Sequence, residues 1–212
     1  MMRNRIRRWA RQAAPQALIT WRLFRGLGSL RAKLIFAKRT VTRRFKAQPD
    51  QLPPRLERGS EIAIVCWGNI MRSALAEAVV RAGLRQDTVK VVSAGINATP
   101  GTPADLRAAA FAETRGLSLG DHRARPLDPS LLRRADLIIA LDRGIEAEIL
   151  AREPGARSRV VLLGGLDPSG SYRGMDILDP VLASPEEAEL VFHAVETGAG
   201  SLASWVNGAG SR

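Results

Sequence analysis

The residues around the single cysteine, Cys66, are of the types that could bind a phosphate group and attack it. Gly68 and Asn69 follow closely, and both residue types tolerate the left-handed backbone angles of a loop whose N–H groups turn inward around an anion. Arg72 adds a planar guanidinium that can bind two phosphate oxygens. The same positive field would favour the thiolate, which is the nucleophilic form of cysteine. The segment 65–73 therefore predicts a phosphate cradle built around a cysteine nucleophile.

The same cysteine excludes other chemistries, because it is the only one in 212 residues. One thiol cannot form an internal disulfide, a thiolate zinc cage or an intramolecular dithiol relay. The two histidines, His122 and His193, add little material for a metal site. We therefore expect neither a metal nor a cofactor. A lone cysteine at the end of a strand is often only a small buried apolar residue, so that alternative stays open for Cys66 taken by itself.

Positive charge is concentrated in the first quarter of the chain. Residues 1–58 contain sixteen Lys or Arg and two acids, whereas residues 59–212 contain sixteen basic and nineteen acidic residues. This division predicts a basic helical extension at 1–46, a proline-containing linker at 47–59 and a mildly acidic domain at 60–212. No apolar run approaches the roughly 20 residues that cross a bilayer, and the first residues do not resemble a secretory signal.

Leucines at three- and four-residue steps predict one amphipathic helix over residues 17–36 of the extension. Gly26 and Gly28 weaken this helix by about 1 kcal/mol each. Trp21 and Phe24 widen the apolar stripe, and arginines and lysines flank it. Three interpretations remain open: docking on an anionic membrane surface or a partner, docking on the folded domain, and nonspecific binding of nucleic acid. Nucleic acid is the least favoured of them.

From Glu61 onward, short apolar runs rich in β-branched residues alternate with helical segments. The runs at 62–66, 89–92, 137–141 and 160–163 predict four buried strands. Buried strands that alternate with helices indicate an α/β fold, a three-layer sandwich with a four-stranded parallel sheet. Ligands of such sheets bind beyond the carboxyl ends of the strands, which is where the phosphate-binding loop after the first strand would lie.

A family resemblance rests on the loop Val-Cys-x-Gly-Asn-Ile-x-Arg-Ser at 65–73 and on further segments along the domain. Those segments are Val92-Ser93-Ala94-Gly95, Gly101-Thr102-Pro103-Ala104-Asp105, Asp121-His122-Arg123-Ala124-Arg125, Ala135 to Asp142 and Asp179-Pro180. Together they resemble the low-molecular-weight protein tyrosine phosphatases over residues 60–208, and residues 1–58 lie outside the match.

The resemblance implies a phosphomonoester hydrolase, in the first place a protein-tyrosine-phosphatase, that needs no metal and works through a phosphocysteine intermediate. Cys66 would attack phosphorus, Arg72 would hold the equatorial oxygens, and Asp179 would protonate the leaving group and then activate water. The implied phosphate-binding residues are Trp67, Gly68, Asn69, Ile70, Met71, Arg72 and Ser73. The implied supporting residues are Ser73, Asn69, Ser93 and His122.

Other assignments of these residues remain open. Two further acids, Asp167 and Asp176, compete for the acid role, but the distance of Asp179 from the cysteine and from the chain end fits the family better. An Asp before a proline can also serve only as a turn initiator. Three of the implied supporting residues could also have purely structural roles. Ser73 could only cap a helix, Asn69 could only form a turn, and His122 could be an ordinary half-buried, hydrogen-bonded histidine.

Two positions depart from the family pattern. Met71 stands where many members have a second cysteine, so Cys66 has no neighbour for a protective disulfide. Val181 stands where an aromatic residue usually walls the phenyl ring of the substrate, and Trp67 could supply that contact from the other side. These departures keep two alternatives open: a catalytically weak, phosphatase-like adaptor or regulator whose basic extension docks on a membrane or partner, and a non-tyrosine phosphomonoesterase.

The resemblance also implies a partner and a location. The substrate would be a phosphotyrosine protein. Bacterial relatives often oppose tyrosine kinases that control the export of capsule or exopolysaccharide, so a bacterial tyrosine kinase is an expected partner. The expected location is the cytoplasm, with peripheral attachment to the inner face of the membrane through residues 1–46 as a further expectation.

Overall fold

A parallel sheet lies at the centre of the computed structural model, which describes residues 16–45, 52, 56–85, 89–167 and 176–209. The strands are β1 (Glu61–Cys66), β2 (Lys90–Gly95), β3 (Leu137–Ala140) and β4 (Val160–Leu162), in the spatial order β2-β1-β3-β4. Adjacent strands run parallel throughout. The prediction of an α/β fold with a four-stranded parallel sheet is confirmed.

Helices cover both faces of the sheet. The helices are α1 (Gln16–Gly26), α2 (Leu30–Phe45), α3 (Arg72–Gly83), α4 (Leu106–Glu113), α5 (Pro129–Arg134), α6 (Arg143–Arg152) and α7 (Pro185–Ala209), with 3-10 turns at Pro154–Ser158 and Leu163–Leu166. Because side chains alternate along a strand, β1 serves two cores. Ile62, Ile64 and Cys66 join the core under α3, α4 and α7, while Ala63 and Val65 join the core under α5 and α6.

The prediction of a single helix over residues 17–36 is wrong, because the helix is interrupted at residues 27–29, between α1 and α2. Gly26 and Gly28 lie at the break, and the Ser29 hydroxyl accepts a hydrogen bond from the Ala32 N–H at 3.0 Å, which caps the start of α2. Leu27 is buried at the break. Of the leucines in this period, Leu27 packs on α6 whereas Leu30 and Leu34 face solvent, so the period does not mark one face of a single helix.

The described part of the extension docks on the outer face of α6. The apolar members of this contact are Leu27, Ala32, Phe36 and Ala147. The Gly28 N–H donates to Glu148 Oε1 at 2.7 Å, and Arg39 forms an ion pair with Glu146. Residues 144–150 of α6 are all buried, since one side of the helix meets the sheet and the other meets the extension. The extension thus adds an outer helical layer to the domain.

Part of the predicted extension and linker lies outside the described residues, namely 1–15, 46–51 and 53–55. Within the predicted linker, Leu52 and Leu56 are partly buried and pack against the core under α3 and α7. Among the helices that the structure describes, none is both long enough and apolar enough to span a bilayer.

Candidate active site

The loop 67–71 joins the end of β1 to the start of α3 at the carboxyl edge of the sheet. Asn69 reverses the backbone there with a φ of 54°, in the left-handed region that asparagine tolerates. Gly68 does not take that conformation. Met71, which precedes α3, has no side-chain oxygen to cap the helix, so no cap competes with an anion for the N–H groups of its first turn.

Two hydrogen-bond donors meet at the sulfur of Cys66. The Asn69 N–H donates to Sγ at 3.2 Å, and Ser73 Oγ lies 2.9 Å from Sγ. Ser73 Oγ also accepts from Asn69 Nδ2 at 2.9 Å, which leaves the hydroxyl proton to point at the sulfur. Donors at this position stabilise negative charge on sulfur, and the nucleophilic form carries that charge.

The buried amide of Asn69 holds the loop to the rest of the domain. Its Oδ1 accepts from the Arg125 N–H at 2.9 Å, so Nδ2 must face the two serines. Nδ2 donates to Ser73 Oγ at 2.9 Å and to Ser93 Oγ at 2.8 Å. A single side chain thus joins the start of α3, strand β2 and the backbone at Arg125. The predicted supporting residues lie together here.

Two further residues complete this network. His122 Nε2 lies 2.6 Å from the carbonyl oxygen of Asn69, and since a carbonyl can only accept, Nε2 carries the proton and donates. Glu77 accepts from the N–H of Ser93 at 3.0 Å and from its hydroxyl. Glu77 was not predicted. Its spacing of four residues from Ser73 on α3, which places both on one helix face, is the signal that could have found it.

Arg72 lies behind the loop, 2% exposed, and binds three acceptors. Nη1 donates to Asp142 Oδ2 and to the Ile177 carbonyl, each at 2.8 Å, and Nη2 donates to Asp179 Oδ2 at 2.6 Å. Burial by itself lowers the pKa of the guanidinium, but the charges of Asp179, Asp142 and Cys66 raise that pKa and outweigh burial. A fixed positive charge therefore lies beside the cysteine.

Asp142 is the second site residue that the sequence interpretation missed. It follows β3, the strand next to β1, and its carboxylate both binds Arg72 and accepts the Ile145 N–H at 2.8 Å at the start of α6. Burial raises the pKa of Asp142, and the charge of Arg72 opposes that rise. An acid at the carboxyl end of a central parallel strand was the available signal, because ligand sites of such sheets form there.

The three candidate acids lie in different surroundings. Asp179 contacts Arg72 and keeps its side chain 38% exposed, as a group that meets a substrate requires. The side chain of Asp176 is 4% exposed, and its carboxylate is bound by Arg143 Nε at 2.9 Å and Nη2 at 2.7 Å. Asp167 is buried at the end of the second 3-10 turn. Asp179 is therefore the best placed of the three to exchange a proton with a bound substrate.

The remaining loop residues contribute mainly through the backbone. Ile70 and Met71 pack with the core, so any contact they make with a phosphate would come from their N–H groups. Trp67 is partly buried against the opposite core, and Val181 is exposed. Gly95 lies opposite Cys66 in the sheet, and a Cβ there would come within 2.7 Å of the Trp67 carbonyl oxygen, so the loop requires a glycine at this position.

The arrangement suits phosphoryl transfer through sulfur. It combines a thiol that receives two donors, a buried guanidinium and a partly exposed carboxylate at the mouth of a loop that precedes a helix. In the part of the chain that the structure describes, no group of three or more His, Cys, Asp or Glu side chains is placed to hold a metal ion.

Comparisons with known proteins identify relatives of this domain. The sequence profile of the low molecular weight phosphotyrosine protein phosphatases matches residues 61–211. A probable low molecular weight protein-tyrosine-phosphatase, EpsP of Ralstonia nicotianae, is 37% identical over 139 residues, which is 64% of this chain and 90% of the relative. Low molecular weight protein-tyrosine phosphatase A of Mycobacterium bovis is 36% identical over 151 residues, covering 69% and 91% of the two chains.

Solved structures share the architecture. The tyrosine phosphatase AmsI of Erwinia amylovora superimposes with a TM-score of 0.62 at 31% identity, covering 71% of this chain and 93% of its own. The arginine phosphatase YwlE of Geobacillus stearothermophilus has the same TM-score at 26% identity, covering 70% and 94%. The family profile covers residues 61–211, so the extension lies outside that match.

Proposed function

The chain belongs to the low molecular weight phosphotyrosine protein phosphatase family and is a protein-tyrosine-phosphatase, and we propose that Cys66, Arg72 and Asp179 carry out its reaction. One observation carries the proposal: the guanidinium beside Cys66 also holds the Asp179 carboxylate at 2.6 Å, so nucleophile, cation and acid share one site. Ser73, Asn69, Ser93 and His122 position the loop through the contacts described above.

In the first step, the Cys66 thiolate attacks phosphorus, so that an S–P bond forms while the P–O bond to the tyrosine ring breaks. The charge that spreads over the equatorial oxygens is met by Arg72 and by the N–H groups of residues 67–73. The neutral carboxylic acid form of Asp179 gives its proton to the departing phenolate oxygen. The products of this step are a free tyrosine side chain and phosphocysteine.

In the second step, water replaces sulfur on phosphorus. The Asp179 carboxylate, now deprotonated, takes a proton from the attacking water, an O–P bond forms and the S–P bond breaks. Inorganic phosphate leaves and the thiolate returns. The donors at Sγ from Asn69 and Ser73 support this step as well, because sulfur leaves as an anion.

The substrate that we propose is a tyrosine-phosphorylated protein in the cytoplasm, with a bacterial tyrosine kinase that governs exopolysaccharide export as the partner. The names of the sequence relatives support the tyrosine specificity, whereas two of the similar solved structures are named as YwlE arginine phosphatases. Because the fold hosts both activities, phosphoarginine is the competing substrate that a test must include.

We expect the full chain to hydrolyse p-nitrophenyl phosphate and a phosphotyrosine peptide with EDTA present. For peptides of one sequence, kcat/KM should be at least about tenfold higher for phosphotyrosine than for phosphoarginine or phosphoserine. A coupled assay of released phosphate measures all three. No turnover of any substrate would contradict the enzyme proposal, loss of turnover on chelation would contradict the metal-free reaction, and a preference for phosphoarginine would contradict the tyrosine assignment.

We also propose that the solvent face of the extension binds an anionic membrane surface. Leu30 and Leu34 are 74% and 64% exposed, and with Val41 they form one stripe along α2, opposite the face that docks on α6. Arg31 and Lys33 flank the stripe. Exposed leucines between basic side chains are typical of helices that lie in a lipid interface, where the charges meet anionic headgroups.

Vesicle sedimentation tests this surface. We expect the protein to bind vesicles of phosphatidylcholine with phosphatidylserine, to bind less at high salt, and to lose at least about fivefold in affinity in Leu34→Glu. Leu106→Glu changes a leucine of α4 on the catalytic domain that is 85% exposed, more than Leu34, and it should bind like the wild type. Equal binding of both variants, or binding to phosphatidylcholine alone that salt does not affect, would contradict the proposal.

A further inference from the structure

The contact between α2 and α6 reaches the segment that carries Asp179. α6 begins at Arg143, and the side chain of this arginine is 18% exposed because it lies between the extension and the segment 176–180. The ring of Phe36 lies 5.6 Å from the guanidinium carbon, within cation–π distance, and Thr40 Oγ1 lies 3.5 Å from Nη1. The extension therefore covers this guanidinium.

Arg143 binds the Asp176 carboxylate through both its backbone N–H and its side chain. Its backbone N–H donates to Oδ1 at 2.7 Å, while Nε and Nη2 donate to Oδ2 at 2.9 and 2.7 Å. Burial alone lowers the pKa of Arg143, but the hydrogen bonds and charge of Asp176 raise that pKa and outweigh burial. A bidentate pair fixes direction as well as distance, and shielding it from water strengthens it.

The pair fixes the start of the segment that ends in the general acid. The N–H of the next residue, Ile177, donates to the Leu141 carbonyl at 3.0 Å. The Ile177 carbonyl accepts a hydrogen bond from Arg72 Nη1 at 2.8 Å. Asp179 follows two residues later with its carboxylate on Arg72. A short chain of contacts therefore runs from Phe36 through Arg143 and Asp176 to the acid.

We propose that α2 of the extension positions the general acid: Phe36 shields Arg143, Arg143 orients Asp176, and Asp176 sets where Asp179 meets the leaving group. The inference rests on the proposed acid role of Asp179. The residues involved are positioning residues, since none of them touches the substrate. The domain alone would keep Cys66 and Arg72 but hold its acid less firmly, so the extension becomes part of the enzyme and not only an attachment.

The test compares leaving groups in the full chain. Phe36→Leu keeps an apolar side chain but removes the ring. We expect kcat/KM for phenyl phosphate, which needs the proton, to fall about 3- to 10-fold, while kcat/KM for p-nitrophenyl phosphate falls less than about twofold. Phe111→Leu is the matched control, because it makes the same change at another buried ring, on α4, that an arginine guanidinium covers, here that of Arg115, and it should leave both values unchanged.

Two further variants separate positioning from general damage. Asp176→Asn weakens the same pair from the domain side, so it should show the same dependence on the leaving group. In an Asp179→Asn background, Phe36→Leu should have no further effect, because the group through which it acts is gone. Equal losses with both leaving groups, or a full additional loss in that background, would overturn the inference. Absence of turnover in the wild type would instead contradict the proposed function.

Discussion

Replacing Cys66 with serine should remove turnover of p-nitrophenyl phosphate and of a phosphotyrosine peptide, with a loss of about 10⁴-fold or more in kcat. The hydroxyl has nearly the same size as the thiol and would receive the same donors from Asn69 and Ser73. It stays protonated at neutral pH, however, so no anionic nucleophile faces phosphorus. The cradle itself remains, because Arg72 and the loop N–H groups are unchanged.

Binding is the control for this variant. Isothermal titration of Cys66→Ser with the phosphotyrosine peptide should give a Kd within about threefold of the wild-type KM, since the phosphate contacts do not involve the sulfur. Turnover within about 100-fold of the wild type would show that another group attacks phosphorus. A loss of binding together with activity would show that the serine disturbs the cradle.

The strands and the loop were predictable because their signals are local. A strand that is covered on both faces needs an uninterrupted apolar run, and residues 62–66, 137–140 and 160–162 provide such runs, close to the bounds of β1, β3 and β4. The loop residues Cys66 to Ser73 are adjacent in sequence, and their types alone indicate an anion cradle. Local sequence does not determine the order of the strands in the sheet, which requires the three-dimensional structure or knowledge of the family.

The partners of the loop were harder to predict, because they are distant in sequence. Asp142 lies 70 residues from Arg72, and a single acid at the start of a helix is usually only a cap. Glu77 is one of many acids on helices, and only its four-residue spacing from Ser73 distinguishes it in the sequence. Their burial depends on how strands and helices that are distant in sequence pack together in the fold.

The break at Leu27 was missed for a different reason. Helix propensity assigns a modest cost to Gly26 and Gly28, and that cost does not decide between a weak continuous helix and two helices. The burial of Leu27 and the cap by Ser29 decide it, and the burial depends on α6, which is more than 100 residues away. The same contact brings Phe36 to Arg143, so the function that we infer for the extension had no sequence signal.

Replacing Asp179 with asparagine should lower kcat/KM for phenyl phosphate by about 10²- to 10³-fold and for p-nitrophenyl phosphate by about tenfold or less. An amide cannot give a proton to the leaving oxygen. The loss therefore grows with the basicity of that oxygen, and nitrophenolate leaves with little help. Attack by Cys66 still occurs, so the variant keeps measurable turnover, unlike Cys66→Ser.

The contact between Asp179 and Arg72 adds a second signature. The carboxylate lies 2.6 Å from Nη2, so it competes with a bound anion for the same guanidinium. Asparagine removes that negative charge, and inhibition by inorganic phosphate should become a few-fold tighter, although catalysis is slower. A variant that merely disturbed the fold would weaken both catalysis and the binding of phosphate.

Asp167→Asn is the matched control for this assignment, because Asp167 also precedes a proline and is the competing acid candidate. It should keep the wild-type dependence of kcat/KM on the leaving group, measured over a series of substituted phenyl phosphates at constant pH. If Asp167→Asn steepened that dependence and Asp179→Asn did not, the acid would be Asp167. Because Phe36 and Arg143 act on the segment of Asp179, the inferred role of the extension would then have no acid to position.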